Sequence, residues 1–149
     1  MALIDKLNDD MKSALKEGKK EKLNVIRMVK SSIKNEEIKQ GKPLNDESIL
    51  SILMKEVKQR TDANEEFKKG NRNDLVEKNL SEIKILQEYL PIQMTDEEIK
   101  DVVEKVVYEL TEESNLNIGS IMQRIVPIIK GKADLSKVNA IIKEKLNNL

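Results

Sequence analysis

Residues 82–99, EIKILQEYLPIQMTDEEI, decide the fold. Before the proline, Ile83, Leu86 and Leu90 recur at helical spacings of three and four. Pro91 disfavours helical geometry at Leu90 and closes that helix. Thr95-Asp-Glu-Glu98 then forms a capping box: the Thr95 side chain accepts from the Glu98 N–H and the Glu98 carboxylate reaches back. Met94 and Ile99 occupy the positions of a hydrophobic staple. One helix stops and another starts within a few residues, so the chain divides here. The expectation is an all-α protein in two helical parts, a four-helix part over 1–91 and a small three-helix bundle over 92–149.

The same punctuation continues outward. Leu3, Leu7, Met11 and Leu15 mark one side of a first helix that Gly18 ends. Leu23, Ile26, Val29 and Ile33 mark a second, which runs down at Gly41 and Pro43. Asn45 is a candidate cap for a third, with Asp46 and Glu47 at the positive end of its dipole. That helix carries Ile49, Leu50, Leu53, Met54 and Val57 and continues to Phe67. Asn73 is a candidate cap for a fourth, through Leu75, Val76, Leu80, Ile83, Leu86 and Leu90. Beyond the capping box, Ile99, Val102, Val103, Val106, Val107 and Leu110 repeat every three to four residues. Thr111 to Asn117 reads as a polar loop. A sixth helix covers about Ile118 to Ile129, with a kink or early finish expected at Pro127. After Gly131-Lys132-Ala133, Asp134 caps a last helix holding Val138, Ile141, Ile142 and Leu146.

Composition excludes much chemistry. The 149 residues contain neither Cys nor His. Thiol nucleophiles, zinc–thiolate centres and disulfides are therefore absent, as are Ser–His–Asp hydrolysis and the usual imidazole base. No cofactor, catalytic residue or metal site is predicted. The carboxylates Glu97, Glu98, Asp101 and Glu104 are read as a cap and a solvated face, because no loop completes a coordination shell for a hard cation. The N-terminus lacks the basic and then apolar pattern of a secretory leader, and no apolar run approaches the ~18 residues of a membrane span. The sequence reading is a soluble, cytoplasmic protein without a membrane partner.

The 27 basic and 27 acidic residues cancel, but not locally. Residues 95–113 hold eight acids against two bases, and residues 114–149 hold six bases against two acids. In the second predicted helix, Lys20, Arg27, Lys30 and Lys34 fall within an arc of roughly 80°. They form a secondary basic face able to contact phosphates; a solvated helix surface is the commoner explanation, since long surface helices are usually rich in Lys and Glu. The turn Lys130-Gly131-Lys132-Ala133-Asp134 combines flanking lysines, a glycine and a following helix N-terminus, the ingredients of an anion seat. A helix C-cap followed by an N-cap uses the same residues. Arg124, Lys137 and Asn139 lie nearby in sequence. Arg60 and Gln59 stand among polar residues on the third helix, where an interhelical polar contact is one option. Two Tyr and one Phe are too few for a base-stacking platform.

Four stretches carry a family resemblance: EKLNVIRMVKSSIKNEEI (21–38), KEVKQRTDANEEF (55–67), EIKILQEYLPIQMTDEEI (82–99) and IGSIMQRIVPIIKGKADLSKVN (118–139). Together they resemble a bacterial YqeY-type protein of the GatB/YqeY group. The YLP-x-Q-M-T-x-E-E and P-x-I-K-G-K-A-D segments are the most specific. The resemblance implies an all-helical protein whose second part is similar to the tail domain of the B subunit of aspartyl/glutamyl-tRNA amidotransferase, a tail understood to engage tRNA. The matching positions here are Gly119, Met122, Lys130, Gly131, Lys132, Ala133, Asp134, Val138 and Asn139. Leu135 departs from the pattern, where many members have glycine.

What the resemblance implies is a non-catalytic tRNA-binding or tRNA-amidotransferase-related accessory module. Its candidate tRNA-binding residues are Arg124, Lys130, Gly131, Lys132, Ala133, Asp134, Lys137 and Asn139. Its expected partners are tRNA and a tRNA-modifying or aminoacylation enzyme. One alternative is a component of a glutamine-dependent carbon–nitrogen ligase active only with partners, since the group carries that label. This chain has no nucleophile–base arrangement for glutamine hydrolysis. A second alternative is a helical protein-interaction adaptor.

Overall fold

A computed structural model describes residues 2–149, and among them seven α-helices follow one another without a strand. They are α1 (Leu3–Glu17), α2 (Lys20–Gln40), α3 (Asp46–Lys69), α4 (Asn73–Gln87), α5 (Asp96–Glu112), α6 (Ile118–Ile129) and α7 (Leu135–Asn147). One compact unit ends at Pro91, and Ile92–Leu149 forms the second.

In the N-terminal unit, α1 ends at Gly18 and α2 at Gly41, both in the left-handed region at φ 70°. Asn45 caps α3 by accepting from the Ser48 N–H. The core gathers Leu7 of α1, Val25, Ile26, Val29 and Ile33 of α2, Ile49 and Leu53 of α3, and Leu86 and Tyr89. Three expectations are corrected here. Leu15 is 62% exposed, and Ala14 is buried in its place. Repeated steps of four drift about 40° each, so the third step, to Leu15, carries the side chain off the seam. Leu80 is likewise exposed, because the inward row of α4 runs Val76, Asn79, Ile83, Leu86. Asn73 is the first helical residue of α4 and not its cap; Arg72 holds that position and pairs with Asp74.

The helix before Pro91 stops at Gln87, earlier than the apolar spacing indicates. Glu88, Tyr89 and Leu90 each donate their N–H three residues back, to Ile85, Leu86 and Gln87. These 3₁₀-type bonds tighten the last turn where proline forbids a regular one.

In the C-terminal unit, the Thr95–Glu98 capping box is formed in both directions. α5 runs to Glu112, into the stretch expected to be a loop; the Thr111 hydroxyl donates to the Val107 carbonyl and Ser114 makes the turn at φ 56°. Asn117 caps α6 through the Ser120 N–H. α6 continues two residues past Pro127. Pro127 and Gln123, whose carbonyl loses its helical partner, are both exposed, so water can satisfy that oxygen. Ile99, Val103, Val106, Val107 and Leu110 of α5 pack with Ile121, Ile125 and Ile129 of α6 and Val138 and Ile142 of α7. Met94 rests against this core, where the staple position predicts it.

Candidate nucleic-acid interface

The turn between α6 and α7 is built by backbone geometry. Lys130 (φ −53°, ψ 120°) and Gly131 (φ 72°) are the two central residues of a type II turn, closed by Lys132 N–H donating to Ile129 C=O at 2.7 Å. Only glycine adopts the second central conformation without strain. Gly131 and Ala133 are buried, whereas the Lys130 and Lys132 side chains are exposed. Asp134 caps α7 by accepting from the Ser136 N–H at 3.1 Å, so one of the helix-end donors is already used. Leu135 starts α7 half-exposed, as an ordinary first helical residue.

The segment before α5 holds this turn from one side. Met94 N–H donates to Lys132 C=O and Gln93 Nε2 to Gly131 C=O, each at 2.8 Å. The YLPIQMT and KGKAD segments, separate in sequence, thus form one hydrogen-bonded assembly.

The neighbouring bases are engaged within the bundle. Arg124 of α6 pairs with Glu109 and Glu113 of α5. The Glu113 hydrogen bond holds its guanidinium above the ordinary arginine range. Lys137 of α7 pairs with Asp96, and Lys145 with Glu104 at 3.9 Å. The acidic run of α5 and the basic runs of α6 and α7 are therefore opposite faces of internal contacts. Asn139 is half-buried, and Val138 belongs to the core. Of the sequence-predicted turn residues, the structure brings Lys130, Gly131, Lys132 and Ala133 together and directs Arg124 and Lys137 onto α5.

The secondary basic face is arranged differently. Lys20, Arg27 and Lys34 are exposed on α2, and none makes an ion pair among the described residues. At intervals of seven residues they advance about 10 Å each and rotate only about 20°. Lys30 leaves this row: it is half-buried, with its ammonium 3.9 Å from Met11 Sδ. The residues up to Pro91 hold 19 bases against 17 acids, and those from Ile92 hold eight against ten.

A polar group that apolar spacing does not reveal lies inside the N-terminal unit. Arg60 is 8% exposed and donates to Glu56 at 2.8 Å, with Glu82 of α4 at 3.7 Å. Beside it Asn79 Nδ2 donates to Asn64 Oδ1 at 3.0 Å. The signal was present: Arg60 and Asn64 continue the inward α3 row of Ile49, Leu53 and Val57. Among the described residues no cluster of three or more metal-ligating side chains is gathered.

Two helical units with charged surfaces make up a small all-helical protein. The chain belongs to the Yqey-like protein family, whose model matches residues 4–146. It is similar to proteins named altered inheritance of mitochondria protein 41, mitochondrial. The Pyrenophora tritici-repentis protein is 34% identical over 133 residues, covering 88% of this chain and 73% of the relative. The Clavispora lusitaniae protein is 34% identical over 128 residues, covering 83% and 74%. The Saccharomyces cerevisiae protein is 29% identical over 149 residues, covering 99% and 70%. These relatives are named as mitochondrial, which overturns the cytoplasmic assignment. Hydropathy and a secretory-leader test, on which that assignment rested, do not distinguish the cytoplasm from the interior of an organelle.

Proposed function

We propose that this protein is a non-catalytic accessory module that binds tRNA, with α2 supplying the main phosphate contacts. The observation that carries the reading is the row Lys20, Arg27 and Lys34: three exposed cations in line, outside any ion pair among the described residues, on the unit with the positive charge balance. Lys130 and Lys132 provide a second, smaller contact. On this reading Arg124 and Lys137 contribute little, because phosphates must compete with carboxylates already in place. The resemblance of the 118–139 segment to an amidotransferase tail, read from its sequence, favours tRNA as the nucleic acid and a tRNA-modifying or aminoacylation enzyme as the protein partner.

The test is equilibrium binding of labelled tRNA to the purified protein across a salt series. Three neutralised phosphates give a slope of roughly −2 to −3 in log K against log salt. Replacing Lys20, Arg27 and Lys34 with Glu flattens the slope and weakens binding at least tenfold. Lys130→Glu with Lys132→Glu has a smaller effect. Equal losses from both sets indicate diffuse attraction and overturn the assignment to α2. No tRNA binding at low salt overturns the reading in favour of a protein adaptor. The exposed Leu15, Ile38 and Leu80 of the N-terminal unit favour that second reading.

A further inference from the structure

Between α2 and α4 lies an open cleft of about 430 Å³. Its apolar lining includes Met28, which is exposed, and Val25, which is buried beneath it. Its charges are Glu21 and Arg27 from α2 and Lys78 and Glu82 from α4. Glu82 sets this cleft apart from an ordinary charged surface. It is a carboxylate only 9% exposed, yet it lines an opening. Its one ion-pair partner, Arg60, stands 3.7 Å away and is committed at 2.8 Å to Glu56. The buried Glu82 and the half-buried Glu56 thus share one guanidinium, whose Nε is itself buried without a hydrogen-bond partner among the described residues. Carboxylates removed from water call for a full set of cationic or hydrogen-bonding partners.

Cations are present in the same cleft and do not fill that role. Neither Arg27 nor Lys78 forms an ion pair with Glu82 or with Glu21. Glu21 is engaged by the Ser81 hydroxyl. The cleft therefore keeps positive and negative groups apart across apolar walls. A ligand with only one sign of charge satisfies half of this arrangement and meets repulsion from the rest. A ligand carrying both charges and a short apolar stem satisfies all of it.

We propose that the α2–α4 cleft binds a free zwitterionic α-amino acid with an apolar side chain. Its ammonium lies on Glu82, its carboxylate on Arg27 and Lys78, and its side chain on Val25 and Met28. The cleft shares Arg27 with the α2 row, but the proposal does not depend on the tRNA reading.

The experiment is calorimetric titration of the full-length protein with L-methionine and L-leucine. The controls are N-acetyl-L-methionine, which lacks the ammonium, and 3-methylthiopropylamine, which lacks the carboxylate. Saturable one-to-one binding of a free amino acid is expected, with both controls at least tenfold weaker, since a charge-assisted hydrogen bond carries more than a tenfold effect. Lys78→Ala, at an exposed position, lowers affinity at least threefold, and Glu82→Gln at least tenfold; circular dichroism confirms folding of each. Should Glu82→Gln not fold, Lys78→Ala and the two controls decide. Neither residue lies on the α2 row, so both variants keep their tRNA binding if that reading holds. Absence of saturable binding up to about 10 mM overturns the proposal. Equal binding of the amine lacking a carboxylate overturns it as well, reducing the cleft to a cation site.

Discussion

Met94 N–H donates to the carbonyl of Lys132 at 2.8 Å, tying the chain just ahead of α5 to the turn just ahead of α7. Gln93 reinforces this with its bond to Gly131 C=O. The two segments that most clearly carry the family resemblance therefore contact each other. Part of their sequence pattern is accounted for by this assembly, before any RNA is considered.

Gly131→Ala tests that assembly. The substitution forces a side chain into the left-handed region at φ 72° within a buried turn. A loss of about 1–2 kcal/mol is expected in denaturant unfolding. Gln93→Ala removes one hydrogen bond, and about 1 kcal/mol is expected. A Gly131→Ala variant as stable as the parent would contradict the turn geometry.

Arg60→Ala leaves the buried Glu82 and the half-buried Glu56 without their shared cation. The expected cost is about 3–5 kcal/mol. The triple change Arg60→Met, Glu56→Leu and Glu82→Leu recovers most of it, because no charge then remains to be desolvated. Urea unfolding of the single and triple variants compares the two. A triple variant less stable than Arg60→Ala would show that the group stabilises through packing and not through its charge balance.

Tyr89 gives a pH signature. Burial, helped by its hydroxyl donating to Asp10 at 2.5 Å, pushes the phenol far above its ordinary range. The folded state then keeps a proton that the unfolded state releases near pH 10. With fewer protons bound in the unfolded state, stability falls as pH rises above about 10. Tyr89→Phe removes this dependence and costs about 1–2 kcal/mol at neutral pH through the lost hydrogen bond. Chemical unfolding at pH 8 and 11 reads both effects. An unchanged slope in the variant would assign the dependence to other groups.

Lys137→Asp places two carboxylates together opposite Asp96. Both positions are about half-exposed, so the expected loss is no more than about 1 kcal/mol, shrinking in 1 M salt. Adding Asp96→Lys restores the pair with its polarity reversed and returns the stability. Failure of the double variant to recover would indicate that Asp96 acts through its place in the first turn of α5.

Helix identity was legible because glycines, capping residues and Pro91 punctuate nearly every element, and apolar spacing supplied most of each core. The departures have local causes. Leu15 and Leu80 lie one step off seams that Ala14 and Asn79 occupy, since small and polar residues carry no hydropathy signal. α5 outran its apolar pattern to Glu112, with the Thr111 hydroxyl satisfied within the helix by the Val107 carbonyl. The candidate site was less legible. Charge counts along the chain located bases on α6 and α7, but ion pairing is a property of three dimensions. Only the folded bundle brings Arg124 and Lys137 onto α5.

The pairing of α5 with α6 and α7 also bears on the entropy of association. Polyelectrolytes bind proteins largely because mobile counterions leave when charges meet. Around Arg124, Lys137 and Lys145 that role is filled by covalently attached anions, the carboxylates of Glu109, Glu113, Asp96 and Glu104. An incoming polyanion would have to displace these carboxylates, and their repulsion would offset part of the gain from the cations that leave its phosphates. The C-terminal bundle is to that extent insulated from indiscriminate attraction to nucleic acid, whatever its count of lysines.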